Sequence, residues 1–232
     1  MLKRMVLLPG LDGTGQLFAA FVAALPKTIT ATVSYPAKDL LSYSELLPFV
    51  RAAIPKSEPF VLLAESFSAP LAVEFAASKP SNLAALVICA GFVFEPLADW
   101  STLAKVVARP FLFRLNAPRC ILEYFLIGRE APGPLIQEVR QVLWSVSPEV
   151  LRNRVSEALN CDARSALAQT TVPVLYVKAT HDNLLADSCV AEMKGIKPDI
   201  LIKVVAGPHL LLQREPQKVV NIVSVFMWEL GI

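Results

Sequence analysis

The sequence has little charge of either sign and no long hydrophobic run. Only 18% of its 232 residues are charged, and the formal net charge is +2. So small an excess of positive charge gives no reason to expect nucleic-acid binding. The longest uninterrupted apolar run, residues 83–94, is shorter than the ~20 residues that a helix needs to cross a bilayer. We therefore expect no nucleic-acid partner and no membrane span.

Paired cysteines and a secretion signal are also missing. The four cysteines show none of the close spacings that are typical of disulfide frameworks or zinc sites. Lys3 and Arg4 precede only a few apolar residues, which is too little for a signal-peptide core. These features predict free thiols in a reducing compartment, no metal site and a cytoplasmic location.

Apolar residues, in contrast, are abundant: 54% of the chain is hydrophobic, enough for one domain with a large core. Short apolar runs predict strands at residues 5–8, 29–35, 60–64, 83–90, 172–179 and 200–206. Between them, apolar residues at helical spacing predict helices at residues 16–25, 43–54, 69–77, 187–194 and 216–230. This alternation indicates an α/β fold with a doubly wound, mostly parallel sheet of about six strands, whose ligands bind beyond the carboxyl ends of the strands.

Residues 92–168 break the alternation. They contain no convincing strand, and prolines divide them into short helical pieces. Because this insertion follows the carboxyl end of a strand, we expect it to lie over the site as a helical cap. Residues 1–91 and 169–232 would then form the core. The alternative is that these helices form an edge layer of the same domain.

A serine follows the third predicted strand directly, in the segment Ala64-Glu65-Ser66-Phe67-Ser68. A nucleophile at such a strand-to-helix turn has a strained backbone, and bulky side chains two residues away would collide across the turn. Ala64 and Ser68 are small enough to permit this turn. The alternative is an ordinary junction with Ser66 as the N-cap of the helix.

Asp182 and His209 follow the fifth and sixth predicted strands. The carboxyl ends of parallel strands meet at one edge of a sheet, so both side chains are expected near Ser66. A serine hydroxyl needs an imidazole to take its proton, and the imidazole needs a carboxylate to fix its tautomer. Asp187 is a rival acid, but we expect it to cap the following helix. His181 is expected to belong to the loop or to the rim of the site.

These segments together resemble the α/β-hydrolase family. The segment from His181 to Leu185 is similar to the family's H-D-x-x-V turn, and Gly207-Pro208-His209 with Glu215-Pro216 is similar to its G-x-H…E-x-P ending. The chain departs from the family's G-x-S-x-G pattern, because Ala64 and Ser68 replace both glycines. The resemblance implies Ser66 as nucleophile, Asp182 as acid and His209 as base.

The same resemblance implies an oxyanion hole made of two backbone N–H groups. One belongs to Phe67, at the start of the helix after the serine, and the other to Leu11, in the loop after the first strand. Pro9 stands where the family has histidine in this loop.

The glycines of the loop after the first strand could instead bind a phosphate group. Their spacing, G-x-x-G-x-G, differs from the dinucleotide fingerprint, and the next strand ends without an acid to hold a ribose. We therefore expect Gly10, Gly13 and Gly15 to let the backbone turn closely around the oxyanion site. Asp12 is expected to be a turn residue rather than a substrate contact. Glu65 could support the turn or face the pocket.

Aromatic and basic residues are interleaved in the predicted cap. We expect some of the aromatic side chains to line an acyl pocket above Ser66, with Phe111, Phe113, Phe125 and Trp144 as the candidates. Five basic residues between 105 and 129 could meet a lipid surface or an anionic substrate, giving a peripheral lipid contact through the cap. The alternative is that these side chains snorkel from an amphipathic helix.

The sequence predicts a serine hydrolase that cleaves small-molecule carboxylic esters with an apolar acyl group, without cofactor or metal. One alternative is an acyltransferase with the same triad, because the loop from Pro9 to Gly15 is similar to the P-G-x-D-G-T-G segment of plant phytyl ester synthase relatives. Another is a non-catalytic binding protein on a hydrolase scaffold. The oligomeric state is not predicted.

Overall fold

The computed structural model describes residues 4–25, 29–95 and 118–232. Its six strands are β1 Arg4–Leu8, β2 Ile29–Thr32, β3 Phe60–Glu65, β4 Leu83–Cys89, β5 Val174–His181 and β6 Leu201–Pro208. They form one sheet in the order β2-β1-β3-β4-β5-β6, and neighbouring strands are parallel throughout. The predicted six-stranded parallel sheet is confirmed, although β2 is shorter than predicted and β5 begins and ends two residues later.

Helices connect the strands on both faces of the sheet. The α-helices in the described residues are α1 Ala19–Ala24, α2 Tyr43–Ala53, α3 Ala69–Ala77, α4 Arg119–Leu122, α5 Gly133–Trp144, α6 Pro148–Leu159, α7 Arg164–Gln169, α8 Asp187–Ile196, α9 Leu211–Arg214 and α10 Pro216–Glu229. Short 3₁₀ turns precede α1 and α3, so the single helix predicted at residues 16–25 is divided. No helix in the described ranges is long and apolar enough to cross a membrane.

Alternate residues of the central strands enter two separate apolar clusters. In β1, Val6 and Leu8 belong to the cluster under α2 and α3, whereas Met5 and Leu7 belong to the cluster under α1 and α10. These four side chains are at most 1% exposed. Burial on both faces explains why the strands read as continuous apolar runs rather than as polar–apolar alternation.

The helices between β4 and β5 pack on loops at the carboxyl edge of the sheet. Side chains of α5 form an apolar cluster with Leu17 and Leu210, while Val150 and Leu151 of α6 form another, against which Leu11 packs. Helix α7 instead contributes Ala166 and Leu167 to the main core. The division into a core and a cap at residues 92–168 stays a prediction, and residues 96–117 lie outside the described part of the chain.

The strand order creates a crevice next to β1. The chain leaves β1 toward β2 on one side, and β3 lies on the other, so the connections after β1 and β3 diverge at the carboxyl edge. Such a point, where the direction of winding reverses, is where open α/β sheets bind ligands. The two loops that diverge here contain Leu11 and Ser66.

Candidate active site

Ser66 lies in a sharp turn between β3 and α3. Its φ of 47° falls in the left-handed region, which is unfavourable for residues other than glycine. The N-cap position of the following 3₁₀ turn is Glu65, with extended backbone geometry. The alternative interpretation of Ser66 as an N-cap is therefore wrong. Ala64 and Ser68, two residues before and after Ser66, are fully buried.

A chain of hydrogen bonds joins Ser66, His209 and Asp182. The hydroxyl of Ser66 donates to His209 Nε2 at 2.8 Å, and His209 Nδ1 donates to Asp182 Oδ2 at 2.7 Å. The other carboxylate oxygen of Asp182 accepts from the backbone N–H groups of Leu184 at 2.9 Å and Leu185 at 3.0 Å. The three residues follow β3, β6 and β5, so the sheet holds each one at its carboxyl edge.

The charges in this chain of hydrogen bonds reinforce one another. Burial raises the pKa of the Asp182 carboxyl, but His209 and two backbone donors outweigh it and bring that pKa below its usual range. Burial lowers the pKa of the His209 imidazole, but the charge of Asp182, the hydrogen bond to it and the charge of Glu65 raise it above the ordinary value. The imidazole, only 2% exposed, is therefore well suited to hold a proton transiently.

Two backbone segments flank Ser66 as candidate oxyanion donors. The N–H of Phe67 lies in the first turn after the strand, where helix geometry leaves N–H groups without intrahelical acceptors. Leu11 lies in the loop after β1, which we define as the oxyanion loop, residues 9–13. Its Gly10 carbonyl accepts from the N–H of Gly13 at 3.0 Å, which closes a tight turn.

The other carbonyl groups of the oxyanion loop also have donors. Ser68 Oγ donates to the carbonyl of Pro9, and the guanidinium of Arg154 donates to those of Leu11 and Asp12. The Gly13 carbonyl accepts from the Tyr35 N–H at 2.7 Å. Because its carbonyl groups are engaged within the protein, the loop can present N–H groups to a ligand.

Ser68 does more than the sequence suggested. The sequence pattern predicts only a small residue that permits the turn. In the structure its hydroxyl donates to the Pro9 carbonyl at 2.5 Å and accepts from the Tyr35 hydroxyl at 2.8 Å. This serine, in the position of a family glycine, thus ties the turn at Ser66 to the oxyanion loop. No local pattern indicates this role, since Ser68, Pro9 and Tyr35 are far apart along the chain.

Two other candidate residues lie away from this chain of hydrogen bonds. The side chain of Asp187 is 88% exposed and pairs with Lys178 Nζ at 2.7 Å. It is the first residue of α8, whose N-cap is Ala186, so the predicted capping role is wrong. His181 is exposed at the end of β5, where its Nδ1 lies 2.8 Å from Thr180 Oγ1.

Asp12 shapes the turn that follows Leu11. Its Oδ2 accepts from the backbone N–H of Thr14 at 2.8 Å and from the Thr14 hydroxyl at 2.6 Å. This confirms the predicted turn role.

Glu65 lies beneath the oxyanion loop and is 1% exposed. A Cβ placed on Gly10 would lie 3.5 Å from its Oε2, which accepts from Gln213 Nε2 at 3.4 Å. Glu65 Oε1 and Gln213 Oε1 are buried without a hydrogen-bond partner in the described residues. A carboxylate with an unpaired oxygen is costly to bury, so this environment favours the protonated carboxyl. Burial, with a contribution from Asp12, raises the pKa of Glu65 to about 7.

Two of the four predicted pocket residues, Phe125 and Trp144, lie in the described part of the chain. Phe125 lies in a π-helical turn, Glu123–Ile127, with its ring 4.8 Å from that of Tyr124. Trp144 ends α5 and is 64% exposed. Phe111 and Phe113 lie outside the described residues, as do the first three of the five basic residues. The acyl pocket and the lipid contact therefore stay predictions.

Within the described ranges, no group of three or more His, Cys, Asp or Glu side chains could hold a metal ion. None of the four cysteines is in a disulfide, and Cys89 and Cys189 are buried.

One curated protein is similar in sequence over most of the chain. No protein-family model matches. The chain is 28% identical over 228 residues to the biotin biosynthesis bifunctional protein BioHC of Cellvibrio japonicus (strain Ueda107). The match covers 94% of this chain but only 44% of that protein, so the chain spans less than half the length of this relative.

Solved structures are similar over nearly the whole chain. The bromoperoxidase of Bacillus anthracis has a TM-score of 0.81 at 13% identity, covering 98% of this chain and 92% of that one. The esterase EaEST of Exiguobacterium antarcticum also has a TM-score of 0.81, at 16% identity, covering 97% and 91%. These structures show that the chain has the α/β-hydrolase fold, as predicted.

The pKa of Glu65 predicts a pH-dependent stability. A folded-state pKa of about 7 lies above the unfolded value of about 4.3, so this contribution to stability is fully present below pH ~4 and is lost as pH rises through ~7. Replacing Glu65 with glutamine removes the effect. The difference in unfolding free energy between Glu65→Gln and the parent should therefore grow by up to roughly 3 kcal/mol between pH 4 and 8. Urea unfolding across this range measures it.

Glu74→Gln is the matched control, because Glu74 is exposed on the adjacent helix α3. The difference in unfolding free energy between Glu74→Gln and the parent should not change with pH. Identical pH profiles for Glu65→Gln and the parent would show that Glu65 is not buried as a proton-binding group.

Proposed function

We propose that this protein is a serine hydrolase that cleaves carboxylic esters with an apolar acyl group through an acyl-enzyme on Ser66. The observation that carries the proposal is the continuous chain of hydrogen bonds from Asp182 through His209 to Ser66, at 2.7 and 2.8 Å. Its serine lies in a strained turn at the start of a helix. A buried imidazole between a carboxylate and a hydroxyl is the arrangement that turns a weak nucleophile into a reactive one.

Acylation begins with the Ser66 hydroxyl. Its oxygen attacks the ester carbonyl carbon while His209 Nε2 takes the hydroxyl proton, and Asp182 stabilises the resulting imidazolium. The tetrahedral intermediate collapses when the bond to the alcohol oxygen breaks. His209 returns its proton to that oxygen, so the alcohol leaves neutral and the acyl group stays on Ser66.

Deacylation repeats these steps with water. His209 takes a proton from a water molecule whose oxygen attacks the acyl carbon, and then returns the proton to Ser66 Oγ as the acid leaves. Both tetrahedral intermediates carry a negative oxygen. The N–H groups of Leu11 and Phe67 are the proposed donors to it, with the helix start at Phe67 adding partial positive charge.

Apolar surroundings support an apolar acyl group. Leu210 follows His209 and packs into the cluster formed by α5, Leu17 and Ile127, while Leu11 packs against the cluster on α6. These contacts place apolar side chains directly next to two elements of the proposed site. Burying acyl methylenes there would contribute about 0.8 kcal/mol each.

Acyl transfer to an alcohol would use the same acyl-enzyme. The similarity of the loop from Pro9 to Gly15 to phytyl ester synthase relatives supports acyl transfer. In this chain, however, Thr14 donates two hydrogen bonds to the Asp12 carboxylate within that segment. The turn that this segment forms is enough to explain the similarity, so the similarity does not require a binding site for an alcohol. Hydrolysis is the preferred function, and alkyl ester formation with added alcohol would favour transfer.

One comparison suggests a narrower class of candidate substrates. A relative that is 28% identical over 94% of this chain is named for biotin biosynthesis, which makes an ester from that pathway a second, narrower candidate substrate. A biotin-requiring strain that lacks the matched part of that relative tests it. Growth without biotin after expression of the parent but not of Ser66→Ala would favour this substrate.

The kinetic prediction concerns the three hydrogen-bonded residues. With p-nitrophenyl esters of increasing acyl length, Ser66→Ala and His209→Ala should each lower kcat by roughly 10³-fold or more. The double variant should lose little more, because the two residues act as a unit. Asp182→Ala should lose less, since its role is orientation and charge support.

The control for these variants is Asp187→Ala, which removes an exposed carboxylate that pairs with Lys178. It should retain parental kcat. Retained hydrolysis in Ser66→Ala, or additive losses in the double variant, would contradict the acyl-enzyme mechanism.

The pH prediction follows from the raised pKa of His209. The imidazole must be neutral to act as base, so kcat/KM should rise with pH on a single acidic limb, lying above the ordinary imidazole value of about 6.5. In Asp182→Asn the limb should move to lower pH, because the charge that raises the pKa is gone. Asp187→Asn should leave the limb in place. A flat profile from pH 5 to 9 would exclude a histidine base.

A further inference from the structure

Arg154 is an unusual buried charge. It lies on α6, between β4 and β5, and is 2% exposed. Within the described residues, no carboxylate lies within ion-pair distance of it, whereas Arg119 and Arg164 pair with acids at the surface. Removing a guanidinium from water without an ion-pair partner costs free energy that other contacts must offset.

Those contacts are made almost entirely with the oxyanion loop and its neighbours. Arg154 Nη1 donates to the carbonyl oxygens of Leu11 at 3.0 Å and Asp12 at 2.6 Å, and Nη2 donates to that of Pro36 at 3.0 Å. The guanidinium also lies over the Tyr35 ring, 5.7 Å from its centroid. Charge-assisted hydrogen bonds of this kind are stronger than neutral ones.

The loop is shaped to receive the guanidinium. A Cβ added to Gly13 would collide with all three terminal atoms of the Arg154 side chain, and the φ of Gly13, +68°, is one that glycine adopts without strain. Gly13 therefore leaves the space that Arg154 fills. The contact joins two segments about 140 residues apart in sequence.

We infer that Arg154 is a positioning residue that fixes the oxyanion loop, so that the Leu11 N–H is aligned before charge develops on the substrate. The inference rests on the proposed function and extends it to a residue of the helical segment. By holding the carbonyl oxygens of Leu11 and Asp12 on one side, Arg154 fixes the peptide planes and thus the direction of the N–H groups. Preorganised donors stabilise a transition state because they need no reorientation during the reaction.

A separate set of contacts holds α6 to the core without touching the oxyanion loop. Asn153 Nδ2 donates to the Leu41 carbonyl at 2.9 Å, and Glu157 Oε2 accepts from the Tyr43 N–H at 3.0 Å. Asn153→Ala is therefore the matched control, since it loosens the same helix by one hydrogen bond but leaves the guanidinium contacts intact.

The kinetic test compares Arg154→Met, Arg154→Lys and Asn153→Ala on a p-nitrophenyl ester. Arg154→Met should lower kcat by about 10- to 100-fold with KM within about twofold, because the lost alignment matters in the transition state. The kcat of Arg154→Lys should lie between those of Arg154→Met and the parent, since the point charge of lysine cannot reproduce the forked contacts of the guanidinium. In Arg154→Ala, millimolar guanidinium chloride should restore part of kcat, and an equal concentration of sodium chloride should not.

A second measurement does not depend on activity. Hydrogen exchange of residues 9–15, followed by mass spectrometry, should accelerate at least tenfold in Arg154→Met or Arg154→Lys and stay at the parental rate in Asn153→Ala. If the parent hydrolyses no ester, the proposed function fails, yet the exchange rates still report whether Arg154 holds the loop. Parental kcat in a folded Arg154 variant, unchanged loop exchange, or an equal loss in Asn153→Ala would overturn the inference.

Discussion

The hydrogen bond of 2.8 Å between Ser66 Oγ and His209 Nε2 sets the requirements for the rest of the site. It joins a side chain in a strained turn to one on a different strand end, so the sheet must fix both backbones. The imidazole is buried, which by itself disfavours its charged form, and Asp182 restores its basicity. Asp182 in turn is held by two backbone N–H groups. His209 needs Asp182 because burial disfavours the imidazolium, and Asp182 needs its two backbone donors because burial disfavours the carboxylate.

The oxyanion loop, after β1, has a different requirement. It must keep N–H groups available for the substrate, so other protein groups must hold its backbone in place. Outside the loop, the donors to its carbonyl oxygens are Ser68 in the turn before α3, Arg154 on α6 and the N–H of Tyr35 after β2. The oxyanion loop is thus held from three sides. Helix α6 belongs to the region predicted as a cap, yet its Arg154 contacts the core beside the proposed chemistry. Through Arg154 the helical segment therefore makes direct contact with the oxyanion loop.

The sequence predicted those features that depend on local pattern. Apolar runs located the strands, and the order of strand ends brought Asp182 and His209 toward Ser66, because parallel strands share a carboxyl edge. It did not predict the roles of Ser68 or Arg154, whose partners lie 59 and 142 residues away. Nothing local distinguishes a buried arginine from an exposed one on an amphipathic helix. The predicted capping role of Asp187 is wrong because the helix begins at Asp187 itself, with Ala186 as N-cap, and the carboxylate pairs with Lys178 of β5.

The central claim is that Ser66 is a nucleophile activated by His209. Labelling with a fluorophosphonate, read out by intact-protein mass and peptide mapping, tests it without knowledge of the natural ester, since the reagent modifies only an activated serine. We expect one adduct per chain, on Ser66, formed far more slowly in a folded His209→Ala variant and absent in Ser66→Ala. An unlabelled parent, or equal labelling of Ser66→Ala, would contradict it.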